Sequence, residues 1–138
     1  MDPTPVEPFE MPVRVGPADI DRLNHVNNTV YVRWVQDVAA AHWFAAAPPE
    51  DQAGLVWMVV RHEIDYVSPA GPDEEIVLRT WIGNSAGLRF DRHTEILRAA
   101  DRKLLAKART VWVPVDPASG RPKRVSDRVR RMFAAEAG

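Results

Sequence analysis

With 138 residues, the chain suits one domain spanning 1–138 and is long enough to bury about 68–70% of its unfolded surface. Hydrophobic residues make up 46% and charged residues 27%, which argues against disorder. A formal net charge of −1 with no dense Lys/Arg block disfavours a nucleic-acid or membrane-surface partner, and the absence of Cys excludes disulfides, thiol nucleophiles and thiolate metal sites.

Residues 1–8 hold three Pro and are expected to be a flexible lead-in. Their acids stand where a signal peptide needs bases and an apolar core, and no apolar run approaches the ~20 residues of a membrane span. A soluble, cytoplasmic protein is the expectation. "FEMPVRVGP" then alternates Phe9, Met11, Val13 and Val15, a short strand that Pro12 assigns to a sheet edge. Asp19 to Asn28 reads as a loop.

From Thr29 to about Ala46 the period changes to that of a helix. Val30, Trp34, Val38 and Ala41 share one face, widened by Tyr31 and Val35, while Arg33, Gln36, Asp37 and Ala40 form a narrow opposite stripe. So wide an apolar arc predicts a helix buried on most of its circumference. "APPEDQAG" ends it through Pro48 and Pro49. Four strands follow, over 55–67, 74–83, 88–98 and 103–116, joined by "SPAGPD", "NSAG" and "AADR" as in an antiparallel meander. A last helix starts at Ser126 as N-cap, with Val129, Met132 and Phe133 on one face. The order β-α-β-β-β-β-α predicts an α+β fold, an antiparallel sheet curled around one long central helix, with a short C-terminal helix. Such a sheet leaves edge strands to be covered or paired, which predicts a homodimer or homotetramer.

The stretch "ADIDRLNHVNNTVYVRWVQD", 18 to 37, gathers short polar side chains ahead of the long helix. Helix capping and loop stabilisation account for such residues in general. They account poorly for the quantity, because one N-cap is enough and here a His accompanies five Asp/Asn. The same helix end, with unpaired N–H groups and a positive dipole, would stabilise an oxyanion near Asn27 and Asn28. A carboxylate a few residues upstream, Asp19 or Asp21, would then serve as nucleophile or general base, an arrangement that suits acyl transfer.

The motif formed by Asp19, Asp21, His25, Val26, Asn27, Asn28 and Tyr31 resembles that of the hotdog-fold thioesterases. The match is to the 4-hydroxybenzoyl-CoA thioesterase-like group and, more distantly, to the plant-type acyl-carrier-protein thioesterases. "HEIDYVSPAGPDEEIVLRTWI" and "TVWVPVDPASGRP" extend the resemblance over most of the chain. It implies Asp21 as the catalytic carboxylate, the backbone amide of Asn28 as oxyanion donor, and His25 and Glu63 on the assisting histidine and acid of the carrier-protein enzymes. Those enzymes place Asn two residues before the His, where this chain has Leu23. The family often has Gly before the His; Asn24 stands there, a residue that tolerates positive φ.

The resemblance places Ser85 and Arg89 where the family approaches the nucleotide, with Lys123 and Arg124 as further phosphate-binding candidates. The five Trp default to core packing, and of these Trp34 and Trp57, with Tyr31, are candidates to line an acyl pocket. His42, His62 and His93 are single residues without HxxxH or HxH spacing, so no metal site is expected. Asp37 falls where another hotdog subgroup keeps a catalytic acid, and a solvated or dimer-facing role is expected here. The implied substrate is an acyl-CoA or acyl-carrier-protein thioester, coenzyme A entering as part of the substrate and no separate cofactor being needed. A hydratase on the same fold would need a longer D-x-N-P-x-H spacing, which is absent. A non-catalytic acyl-binding protein is the remaining alternative, since fold alone does not decide activity.

Overall fold

The computed structural model describes residues 7–134, so most of the expected flexible lead-in lies outside the described residues. Five strands, β1 (Phe9–Arg14), β2 (Val56–Tyr66), β3 (Glu75–Ala86), β4 (Arg89–Arg98) and β5 (Leu104–Val115), form one antiparallel sheet in the order β1-β3-β4-β5-β2. β1 with its Pro12 lies at one edge, as its composition predicts. The three strands β3 to β5 form the expected meander.

β2 does not belong to that meander. It pairs with β5 from Val56↔Val115 to Tyr66↔Ala106 and forms the opposite edge of the sheet. The reason is occupancy: β1 covers the free side of β3, from Phe9↔Thr80 to Arg14↔Glu75, leaving only the β5 edge open. "SPAGPD" is therefore a crossover between edges and not a hairpin turn.

The sheet curls around α1 (Asn28–Ala46), which is capped by Asn27 and buries Val30, Tyr31, Trp34, Val35, Val38, Ala39 and Trp43. Its 3.6-residue spacing of apolar side chains and its burial coincide, and the Arg33, Gln36, Asp37 and Ala40 stripe is exposed. After Ala47 the chain does more than stop. Pro49–Gly54 forms a short helix, α2, with Pro at its start, where a missing N–H costs nothing. Gln52 of α2 donates from Nε2 to the carbonyls of Phe44 and Ala47 at 3.2 and 2.9 Å, satisfying the orphan end of α1. α3 (Asp127–Ala134) begins as expected, with Ser126 Oγ accepting from the Val129 amide at 3.2 Å, and buries Val129 and Phe133.

The interior has two clusters. One lies under the first half of α1 and includes Trp34, Val35, Ile76, Leu78 and Ile96; the other joins Trp43, Phe90, Val129 and Phe133 under its second half. Among the described residues no helix is long and apolar enough to cross a membrane. Leu78 is fully buried in the first cluster, so Leu78→Ala should cost about 2–5 kcal/mol of stability, read from the midpoint of urea denaturation.

Candidate active site

The loop between β1 and α1 is built on its two acids, which do different work. A 3-10 turn over Pro17–Asp19 turns Asp19 inward. Its Oδ2 accepts from the Gly16 amide at 2.9 Å, its Oδ1 from Arg33 Nη2 at 3.0 Å, and its carbonyl from the Asn27 amide at 2.8 Å. Burial opposes the charge of this carboxyl most strongly, but the Gly16 N–H and the Arg33 guanidinium together outweigh it and hold the group below the usual carboxylate range.

Asp21 closes a tight turn instead. Its amide donates to the His25 carbonyl at 2.9 Å, its carbonyl accepts from the Asn24 amide at 3.1 Å, and its Oδ1 accepts from the amides of Leu23 and His25 at 2.9 and 3.4 Å. Asn24 has φ +60° at the position where the family often carries Gly. No described residue donates to Oδ2 of Asp21.

The start of α1 leaves one amide over. Asn27 N–H is taken by the Asp19 carbonyl, Thr29 N–H by Asn27 Oδ1 at 2.9 Å, and Val30 N–H by the Asn27 carbonyl at 2.9 Å. Among the described residues nothing accepts from Asn28 N–H, so this amide is the open donor at the positive end of the helix. Asp21, His25, Asn28 and Tyr31 line one cavity of about 470 Å³, closed on its other side by Tyr66 to Pro69 at the end of β2. Tyr31 is a strut as much as a wall: its buried hydroxyl accepts from the Ala70 amide at 3.1 Å, and burial pushes its phenol up. Tyr66 Oη donates to the Asn28 carbonyl at 3.3 Å. Tyr66 and the 67–69 turn were not distinguishable in the sequence, because only the β2 crossover brings them to the helix.

Other predicted residues stand elsewhere in the chain. Trp34 is in the core, 2% exposed, and lines neither cavity. Trp57 lines a second cavity of about 670 Å³ under the far half of α1. Glu63 pairs with Arg61 at 2.6 Å and Arg109 at 3.4 Å, and Ser85 Oγ accepts from Arg130 at 3.4 Å. Ser85 and Arg89 flank the β3–β4 turn, whereas Asp21 faces the C-terminal end of β2, which pairs with the beginning of β5. Those are opposite ends of the sheet: the ten residues of β4, at about 3.3 Å each, separate them by about 30 Å. Lys123 Nζ donates to the Gly54 carbonyl at 3.3 Å, and Arg124 is exposed.

The remaining histidines are engaged in packing or local bonds. His62 Nδ1 bonds Thr110 Oγ1 at 3.0 Å, His42 Nδ1 bonds Arg92 at 2.9 Å, and His93 stacks on Trp81 at 5.7 Å. Asp37 is exposed beside Arg33 at 4.0 Å. No three His, Asp or Glu among the described residues are grouped to hold a metal. Arg92, buried beside the second cavity, was missed in the sequence; its parity with Phe90 and Ile96 was the available signal.

The family model of the thioesterase-like superfamily matches residues 15–133. The chain belongs to that superfamily, and its fold is the hotdog fold. Among solved structures it is similar to a 1,4-dihydroxy-2-naphthoyl-CoA thioesterase from Synechocystis at 17% identity, covering 96% of this chain and 99% of that one, with a TM-score of 0.80. A Thermus thermophilus thioesterase complexed with coenzyme A and Zn matches at 22% identity, 90% and 95% coverage and a TM-score of 0.77. The dynemicin thioesterase matches at 20% identity, 94% and 97% coverage and a TM-score of 0.84. None of the curated proteins compared matches this chain.

Because the folded Asp19 carboxyl lies below its ordinary value, its stabilisation is present above the unfolded carboxylate pKa of about 3.9 and is lost as pH falls through the folded value. Urea midpoints at neutral pH and near pH ~3 should therefore fall less between the two for Asp19→Asn than for the unaltered chain.

Proposed function

We propose that this chain hydrolyses the thioester of an acyl-CoA to the free acid and coenzyme A. The observation that carries the reading is that Oδ2 of Asp21 and the Asn28 N–H, both without a partner among the described residues, belong to residues lining the same cavity. A thioester carbonyl seated there receives a hydrogen bond from Asn28 N–H, which strengthens as negative charge develops on its oxygen. Asp21 then either attacks the carbonyl carbon, giving an acyl anhydride that water opens, or removes a proton from the attacking water. In both routes the C–S bond breaks and coenzyme A leaves as the thiol once protonated. His25, exposed on the same rim, is positioned to serve the leaving group or water. No metal or redox cofactor enters these steps.

The coenzyme A in the Thermus relative supports a coenzyme A thioester as substrate. A carrier-protein thioester, as for product release in a biosynthetic assembly, uses the same chemistry. A panel of acyl-CoA and acyl-carrier-protein thioesters assayed for thiol release separates the two, and binding without release of any would favour an acyl-binding protein. We place the protein in the cytoplasm and expect a homodimer or homotetramer. The free edge strand β2 exposes Val56, Met58 and Val60 at 49, 49 and 43%, an apolar row that pairing would cover. A two-fold partner is also the way Ser85 and Arg89 would come near an Asp21.

Asp21→Asn keeps the side chain's size and its turn bonds but removes nucleophile and base, so turnover should fall by at least ~10²-fold with little change in substrate binding. Asp19→Asn, assayed where it remains folded, should cost much less; the reverse ranking would exchange the two assignments. Light scattering should give a dimer or tetramer, and a monomer with full activity would refute the shared site.

A further inference from the structure

Arg92 lies on the concave face of β4 and is 5% exposed. Its Nη1 donates to His42 Nδ1 at 2.9 Å and to Thr80 Oγ1 at 3.2 Å, and its guanidinium carbon stands 5.8 Å from the centre of the Phe133 ring. His42 must be neutral to accept this bond, and burial, aided by the charge of Arg92, pulls its pKa down to about 4. Burial also lowers Arg92, to about 9, which leaves it charged at neutral pH. Arg33, Arg79, Arg98 and Arg109 each have a carboxylate within 4.0 Å. Arg92, the most buried arginine described, has none among the described residues. A desolvated charge without a counter-charge is costly, and neutral acceptors offset it only in part.

That cation borders the cavity of about 670 Å³ under the second half of α1, a size typical of small-ligand sites at ~300–1,000 Å³. Trp43, Trp57, Phe90, Trp112 and Phe133 give it aromatic walls. The indole N–H groups of Trp57 and Trp112 are buried without an acceptor among the described residues. Among the described residues the one acid in the lining, Asp37, is exposed and sits beside Arg33. Apolar walls around one unneutralised guanidinium select an anion on an apolar body, and the planar fork of Arg matches a carboxylate.

We propose that this cavity binds an apolar molecule ending in a carboxylate, its carboxylate on Arg92 and its hydrocarbon against Trp43, Trp57 and Phe90. The ligand is either a free acid or the far end of an acyl group whose thioester is cleaved at a neighbouring Asp21; only the second source rests on the hydrolase reading. Isothermal titration of the unaltered protein with decanoate and with decanol tests the site without any turnover. Decanoate should bind at least tenfold more tightly than decanol. Arg92→Met, checked for folding by circular dichroism, should abolish the preference, and Arg92→Lys should retain part of it. Equal affinity of acid and alcohol for the unaltered protein, or an undiminished preference in folded Arg92→Met, overturns the proposal. The sources separate in kcat/KM for decanoyl-CoA against its analogue with a carboxylate on the last carbon. A tenfold preference for the analogue that disappears in Arg92→Met assigns the acid to the substrate. Arg92-dependent decanoate binding without that preference, or without any thioester hydrolysis, assigns it to a free acid.

Discussion

An α-helix cannot satisfy the amides of its own first turn, and in this chain that constraint organises the candidate site. α1 is buried along most of its length, so its position is set by packing against the sheet. Its first amides must then find acceptors wherever the preceding loop places them. The Asp19 carbonyl takes one and Asn27 takes two, through side chain and backbone. What remains is the Asn28 amide, and the cavity is built around it. The cap that holds the helix and the donor proposed to stabilise an oxyanion are parts of one count of hydrogen bonds.

The same buried helix divides the interior. Its first half lies over Ile76, Leu78 and Ile96, a fully buried cluster joined to the polar loop by the bond from the Val26 amide to the Ala70 carbonyl. Its second half spans a looser, aromatic region in which Trp43 and Trp57 meet edge to face at 5.5 Å beside an open cavity. Well-packed residues tolerate little movement, whereas aromatic walls around empty space admit a guest. The division of labour follows helix length: 19 residues of α1 reach from the polar loop to α3, about 28 Å at ~1.5 Å per residue.

Much of this was legible before the structure. The alternation in β3, β4 and β5 and the 3.6-residue period of α1 each report burial directly, and their boundaries fall within a few residues of the observed ones. The place of β2 was not legible, since strand order depends on which edge is already occupied and "SPAGPD" reads alike as hairpin or crossover. α2 was hidden because Pro48 and Pro49 end one helix while Pro49 starts another. The grouping of Asp21, His25, Asn28 and Tyr31 was visible because it is local in sequence. Ser85, Arg89 and Glu63 were assigned by resemblance alone; within one chain Ser85 and Arg89 lie at the opposite end of the sheet from Asp21, and Glu63 is paired with Arg61 and Arg109. Arg92 was overlooked because an arginine in a strand is ordinarily solvated, although its neighbours two residues away, Phe90 and Thr94, are buried on the same face.

The two acids of the D-x-D pair show where spacing stops being informative. In an extended strand, residues two apart share a face, and Asp19 and Asp21 would be equivalent. The 3-10 turn ending at Asp19 breaks that relation, and the isolated pairing of Ile20 with Val26 starts a new one. Asp19 is thereby turned onto Gly16 and Arg33, with both oxygens bonded. Asp21 is turned onto its own tight loop, with Oδ1 alone bonded by described residues. A carboxylate whose oxygens are both held by donors is a poor nucleophile and a poor base, because each bond must weaken before the oxygen can react. A carboxylate fixed by one oxygen keeps its orientation and still presents the other. Backbone geometry, more than residue type, separates the clamped carboxylate of Asp19 from the half-open one of Asp21, which is the one proposed to react.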